Sequence, residues 1–248
     1  MSRIGSVLVI LSFVCVQEIY SDILDYPYLA AVFWLQDGAY KFHCNGAIIS
    51  SRHVLTTATC AGDMFKFQNI KVRVGSSNHL YGGQEYLVAS VHKHSKLSPD
   101  LDADIAVLRL DQPLKLSSRV AAANLPDQNF PTDEILVSKI PFYHHSRHSE
   151  DSVRTLSVVG VRSRMNTVEC NNFYKHYKLV PGKDLVTENM ICLRLSFDPN
   201  TRIFGAPLMI NGTIYGMFSW DRKGNFDDAP FIFTRVFAFT KLIKDWIK

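Results

Sequence analysis

No run of apolar residues in this chain reaches the ~20 needed to cross a bilayer as a helix. The longest, Ile4 to Val16, is broken by Gly5, Ser6 and Ser12. A basic block is also missing. Lys plus Arg number 27 and Asp plus Glu 23, and the resulting +4 is spread along the sequence, so nucleic acid is not an expected partner. Internal repeats and low-complexity tracts are absent, which excludes solenoids, collagen-like chains and long disordered tails. Cysteine is scarce and odd in number, five in all. What remains is ordinary globular material: 248 residues, 47% apolar and 20% charged, enough to bury a sizeable core.

The odd cysteine has a simple reading. Arg3 precedes the apolar run from Ile4 to Val16, and Gln17, Glu18 and Ser21 follow it. A charged start, a short apolar centre and a polar exit suit a secretory signal peptide over residues 1–21, with cleavage between Cys15 and Ser21. A non-cleaved anchor is the alternative. Export places residues 22–248 in an oxidising, extracellular compartment, with no membrane span expected. Cys15 leaves with the leader. Cys44, Cys60, Cys170 and Cys192 are then an even set, most simply two disulfides.

Short apolar runs bounded by turn residues read as strands at Tyr28–Leu35, Ala47–Ser50, Val54–Thr56, Ile70–Val74, Tyr86–Val91 and Ile105–Leu110. A second series covers Ile135–Val137, Leu156–Val161, Met190–Leu193, Pro207–Ile210, Thr213–Trp220 and Pro230–Val236. Ile70, Val72 and Val74 alternate with Lys71 and Arg73, the period of a half-buried strand. Asn211-Gly212 between two apolar runs signals a tight hairpin. Asp111 to Pro131, with three prolines and no strong period, reads as a linker between the two series. Phe239, Leu242, Ile243, Trp246 and Ile247 recur at helical spacing with Lys241, Lys244, Asp245 and Lys248 opposite, an amphipathic C-terminal helix.

The segment Phe42-His43-Cys44-Asn45-Gly46-Ala47-Ile48-Ile49-Ser50, followed by Val54-Leu55-Thr56-Thr57-Ala58-Thr59-Cys60, resembles the start of a trypsin-like serine protease domain. So do Asp104-Ile105-Ala106-Val107-Leu108-Arg109-Leu110 and the stretch from Gly205-Ala206-Pro207-Leu208 through Ser219-Trp220 and Thr234-Arg235-Val236 to the last helix. The resemblance covers the chain from Tyr26-Pro27-Tyr28 onward. It implies an all-β fold of two six-stranded antiparallel β-barrels, at about residues 28–110 and 132–236, with a cleft between them and the C-terminal helix docked outside.

In that family a histidine deprotonates a serine and a buried aspartate orients the histidine. The chain departs from this pattern. Where active relatives read Leu-Thr-Ala-Ala-His-Cys it has Leu55-Thr56-Thr57-Ala58-Thr59-Cys60, so Thr59 stands in the place of the base. Where they read Gly-Asp-Ser-Gly-Gly-Pro-Leu it has Arg202-Ile203-Phe204-Gly205-Ala206-Pro207-Leu208, so Phe204 stands in the place of the nucleophile. Asp104 alone matches the triad, and it reads as a structural carboxylate held by Ser219, backbone N–H groups and the Thr59 hydroxyl. Loss of nucleophile or base alone costs about a millionfold in a comparable protease. Arg202 falls where the oxyanion hole needs a glycine, and Asp221 and Phe231 fall where pocket walls carry glycine, so no peptidase activity is expected. The Ser21-Asp22-Ile23-Leu24 stretch carries no basic cleavage residue, and Ile203 replaces the aspartate that would receive a new ammonium.

Other signals rank lower. Asp198 matches the acidic specificity residue of trypsins, in a pocket expected to be filled by Phe231 and Arg202. His144, His145 and His148 read as a solvated loop, with no acid or cysteine at ligand spacing, so neither metal nor cofactor is expected. The resemblance implies the bridges Cys44–Cys60 and Cys170–Cys192, the latter with an enlarged loop between its cysteines. The third bridge usual in the family has Asn200 at one end and no cysteine near Gly224 at the other. Asn211-Gly212-Thr213 is an N-glycosylation sequon. The expectation is a secreted, monomeric, inactive protease homologue that binds extracellular proteins such as proteases, inhibitors or receptors of a proteolytic cascade in immune or reproductive fluid. Two rivals stand beside it: a hydrolase with Ser219 or Thr59 as relocated nucleophile, and a glycan- or sulfate-binding protein using Lys241, Lys244 and Lys248.

Overall fold

The computed structural model describes residues 19–20, 22–62, 68–94, 101–131, 138–143, 156–176, 185–195, 203–221 and 229–248. Its architecture begins with a hairpin. In β2 (Leu29–Gln36) and β3 (Ala39–Ser50), Asp37 and Gly38 take positive φ of 51° and 78°, the mirror-image turn whose twist suits a two-residue connection. With β4 (His53–Thr56), β5 (Ile70–Val74), β6 (Gln84–Lys93) and β7 (Ala106–Leu110), these strands close an antiparallel barrel in the order β2-β3-β4-β7-β6-β5. Val32, Ile48, Val54, Val72 and Leu108 fill it and are fully shielded from solvent. Each such side chain contributes about 1.5–3 kcal/mol of burial.

The second barrel is built from β8 (Lys139–Tyr143), β9 (Leu156–Met165), β10 (Met190–Leu195), β11 (Pro207–Ile210), β12 (Thr213–Asp221) and β13 (Phe231–Arg235). The order β9-β10-β13-β12-β11-β8 closes because β8 also pairs with β9. Asn211 and Gly212, at φ of 47° and 76°, make the expected tight turn between β11 and β12. The strand expected at Ile135–Val137 lies outside the described residues, as do His144, His145, His148, Asp198, Asn200, Arg202 and Gly224.

Three features differ from the sequence reading. The region between Cys170 and Cys192 was expected to be an enlarged loop, but its first part is helix α2 (Thr167–His176), started by a reciprocal cap in which Asn166 and Glu169 bond each other's backbone N–H. Strand β8 was not expected, because Lys139-Ile140-Pro141-Phe142-Tyr143 does not alternate: four of its five residues are buried. Finally, Ile19–Tyr20 form a short strand, β1, paired with Val158 and Ser157 of β9, so the ordered domain begins inside the segment assigned to the leader.

The two barrels are sealed together by a third apolar cluster. Leu55 and Val107 of the first barrel meet Met209 and Met217 of the second, and Val236, Phe239 and Ile243 of the last helix, α3 (Val236–Trp246), pack on them. Near β1, Ile23 is fully buried against Leu29 and Phe33 on one barrel and Tyr143 and Leu156 on the other. No helix among the described residues is long and apolar enough to cross a membrane.

Candidate functional site

Thr59 is carried on the one-turn helix α1 (Ala58–Ala61), whose first turn is capped by the Thr57 hydroxyl accepting from the Cys60 N–H at 3.2 Å. This cap sets the backbone so that the Thr59 N–H donates to Asp104 Oδ1 at 2.8 Å and the Thr59 hydroxyl donates to Asp104 Oδ2 at 3.1 Å. Ser219, on β12, donates to the same Oδ2 at 2.5 Å. Asp104 itself is wholly buried, just before β7. Burial pushes its carboxyl above the ordinary range, and the bonds from Ser219 and Thr59 pull it part of the way back.

No cation touches this carboxylate in the hydrogen bonds described, so its ionised form is held by neutral donors alone. The sign of its contribution follows. A carboxyl raised on folding binds its proton more tightly in the folded state, so stability falls as pH rises from the unfolded value to the folded one and is flat above. Asp104→Asn is therefore expected to fold, to match or exceed the parent in stability at neutral pH, and to lose this downward step. Thermal unfolding across acidic pH checks it. An Asp104→Asn protein that is strongly destabilised at neutral pH would show that the charge is needed.

Phe204 lies at a tight turn entering β11. The Ala206 N–H closes the turn on the Ile203 carbonyl at 2.9 Å, and Gly205 adopts φ 71°. Glycine is required there, since an added Cβ would sit 2.2 Å from the Asn45 carbonyl oxygen. The Phe204 carbonyl accepts from the Asn45 N–H at 2.8 Å and from its side-chain amide at 3.4 Å. Asn45 Oδ1 in turn accepts from the Tyr143 N–H at 2.7 Å, so one buried amide of β3 fixes both the Phe204 turn and β8. The Phe204 ring stacks on Phe218 at 5.5 Å and touches the cores of both barrels.

Behind it the rings continue. Phe218 packs 5.7 Å from Phe231 and 5.4 Å from Phe233, and Phe231 is 4% exposed. Phe231 also lies directly opposite Asp221 in the β12–β13 register. What stays open is a cleft of about 520 Å³ whose walls include Phe42, His43, Thr59, Leu101, Phe204 and Trp220, with the Cys44–Cys60 bridge behind. Leu101 reaches it from a positive φ of 56°, uncommon for a leucine.

The structure thus brings Thr59, Asp104 and Phe204 together at one cleft, while Asp221 and Phe231 pair across the β12–β13 register, with the Phe231 ring against Phe218. Both expected disulfides form, Cys44–Cys60 and Cys170–Cys192. Asn211 is exposed at its hairpin tip. Lys241 and Lys244 are exposed on α3 and Lys248 just beyond its end, with Lys248 engaged by Asp245 at 2.6 Å. Among the described residues no cluster of three or more His, Cys, Asp or Glu is placed to hold a metal. Sequence reasoning missed Asn45 and Phe218. A polar residue beside Gly46, just ahead of the apolar run Ala47-Ile48-Ile49, was the one signal for the first, and nothing local marked the second.

Two closed antiparallel barrels meeting at a cleft, with a terminal helix across their seam, define a trypsin-like fold. The family model described as Trypsin matches residues 20–243, and the chain belongs to that family. It is 28% identical to "Trypsin 5G1" of Aedes aegypti over 83% of this chain and 74% of that one. To "Trypsin iota" of Drosophila melanogaster it is 29% identical, over 84% and 78%. Among solved structures it resembles the scabies mite inactivated protease paralogue S-D1, at a TM-score of 0.77 and 21% identity over 93% of this chain and 96% of that one. The paralogue S-I1 gives the same TM-score at 24% identity, over 93% and 98%.

Proposed function

We propose that this protein is a secreted, non-catalytic member of the trypsin family that works by binding, as a cofactor, decoy or regulator in an extracellular proteolytic cascade. The observation that carries the reading is the Phe204 ring stacked on Phe218 in the position where the family holds its nucleophile. A phenyl ring has no attacking atom. Thr59, at the place of the base, has a hydroxyl that accepts no proton near neutral pH and is already donated to Asp104.

Two further features support it. Ile203 is completely buried in the second barrel's core, so no carboxylate stands there to receive a newly freed ammonium. The N-terminal segment keeps its own anchorage instead, with β1 on β9 and the Ile23 N–H on the Ser77 hydroxyl at 3.0 Å. The paralogues of the two solved structures are named as inactivated proteases, which agrees with a non-catalytic use of this fold.

Expressed with residues 1–21 in a secreting cell, the protein is expected in the medium, trimmed before Ile19 so that β1 is retained. It should carry a glycan on Asn211, removable by peptide N-glycosidase F and absent from Asn211→Gln. Added to a reconstituted extracellular cascade, it should capture a protease, inhibitor or receptor and change the rate of substrate cleavage. Retention in the membrane fraction with residues 1–18 attached contradicts secretion. Empty capture with an unchanged rate contradicts the binding role.

A further inference from the structure

His53 opens β4 and is only 8% exposed. Side chains two apart share a face of a strand, so His53 sits on the side of Leu55, which belongs to the apolar cluster on which α3 packs. Across the ladder His53 lies directly opposite Arg109, and Val107, on that same face of β7, lies opposite both Leu55 and His92 of β6. The His92 ring stacks on Trp246 in the last turn of α3, with 6.3 Å between ring centroids. His94, just past β6, meets Phe239 of the same helix at 6.0 Å. The helix is thus seated partly on histidines.

The charges that bear on His53 are of one sign. They come from Arg109 on β7, His92 on β6 and Arg52 in the turn between β3 and β4, while the neutral partner is Ser50, whose hydroxyl oxygen lies 2.8 Å from Nδ1. The carboxylates of the region do not offset them. Asp245 of α3 accepts from Lys248 at 2.6 Å, and Asp111, two residues past Arg109, is exposed and forms no ion pair with Arg52 or Arg109 among the described residues. Burial first, then Arg109, His92 and Arg52, hold the His53 imidazole below its ordinary pKa. A proton on His53 would add a charge that water hardly reaches and no neighbouring acid balances.

We propose that His53 and His92 form an acid-sensitive latch under the C-terminal helix: neutral, they let the last turn of α3 seat on the first barrel, and protonated beside Arg52 and Arg109 they unseat it. The sign follows from linkage. A histidine that resists protonation in the folded state contributes stability that is complete above its unfolded pKa of about 6.5 and is lost as pH falls from there towards the folded value. What the opening uncovers is apolar, since Leu242, Trp246 and Ile247 pack on the cluster that joins the two barrels. Asp104 acts in the opposite direction, because its raised carboxyl favours the folded state at low pH. The latch does not depend on whether the protein is catalytic.

Amide hydrogen exchange of the intact protein, corrected for the intrinsic effect of pH on exchange, reads the latch element by element. Between about pH 7.5 and about pH 5, opening of residues 243–246 should become several-fold more frequent while β2 and β3 keep their protection. His53→Gln keeps an acceptor for the Ser50 hydroxyl but takes no proton, and should remove most of that change. If that variant does not fold, Arg109→Gln, on a half-buried side chain, carries the comparison: it should raise the His53 pKa, read by NMR titration of the ring, and shrink the acid opening. Exchange in α3 that is unchanged across this range, opening in His53→Gln equal to the parent's, or a His53 titration unmoved in Arg109→Gln overturns the proposal.

Discussion

Restoring histidine at 59 and serine at 204 together leaves the protein without measurable peptidase activity. The expectation rests on which parts of the site the two substitutions reach. A histidine at 59 would find Asp104 already aimed at its position, since that carboxylate faces the Thr59 backbone and side chain at 2.8 and 3.1 Å. A serine at 204 would enter the same turn, held by Asn45. In a comparable protease, loss of either group costs about a millionfold, so restoring both would be decisive if nothing else were wrong. The remainder is wrong. Phe218 and Phe231 pack beside the turn, where the sequence resemblance would have an open pocket wall. Arg202 stands in the sequence where a glycine must let the oxyanion approach, and removing one such donor costs about a hundred- to a thousandfold. Ile203 offers the core no charge to order the loop. Hydrolysis assays with peptide esters and amides of varied first side chain, run beside the parent, check this. Turnover that rises above the parent in the double variant would show that the pocket is still open.

Phe231→Ala is expected to destabilise the fold by about 3–5 kcal/mol, the cost of removing a buried phenyl ring and leaving a cavity. For a chain of this size that corresponds to a fall in melting temperature of roughly 6–20 °C. The ring is 4% exposed, one member of a cluster with Phe218, Phe233 and Ile203 at the centre of the second barrel. Phe204→Ala should cost less, about 1–2 kcal/mol, because that ring is only partly buried and one face borders the open cleft. The ordering of the two carries the meaning: what would be a pocket wall has become core. A cost below ~1 kcal/mol for Phe231→Ala would place its ring in solvent and contradict a filled pocket.

Local pattern was enough for much of the fold. Ile70–Val74 and Pro207–Ile210 form strands over the residues their alternation and apolar run suggested. Asn211-Gly212 turned where its tolerance of positive φ said it should. The same chemistry in Asp37-Gly38 went unread, and so β3 was started at Ala47 rather than Ala39. Helix α2 hid because it buries only Cys170, Asn171 and Tyr174; its cap, Asn166 with Glu169, was the available signal. β8 hid because both its faces are covered and a proline lies at its centre. At the site, Thr59, Asp104 and Phe204 were legible because they fall inside ordered motifs. Asn45 and Phe218 were not, since their roles depend on partners far along the chain: Asn45 holds a carbonyl 159 residues away. No local pattern encodes such a contact.

The most direct measurement of the central claim is labelling of the secreted, folded protein by a broad fluorophosphonate probe, with an active trypsin beside it. The account predicts no label on this chain under conditions that label the trypsin fully, because Phe204 offers no nucleophile and the hydroxyls of Thr59 and Ser219 are both donated to Asp104. Stoichiometric labelling, mapped to Thr59, Ser219 or any other residue of the cleft, would contradict it.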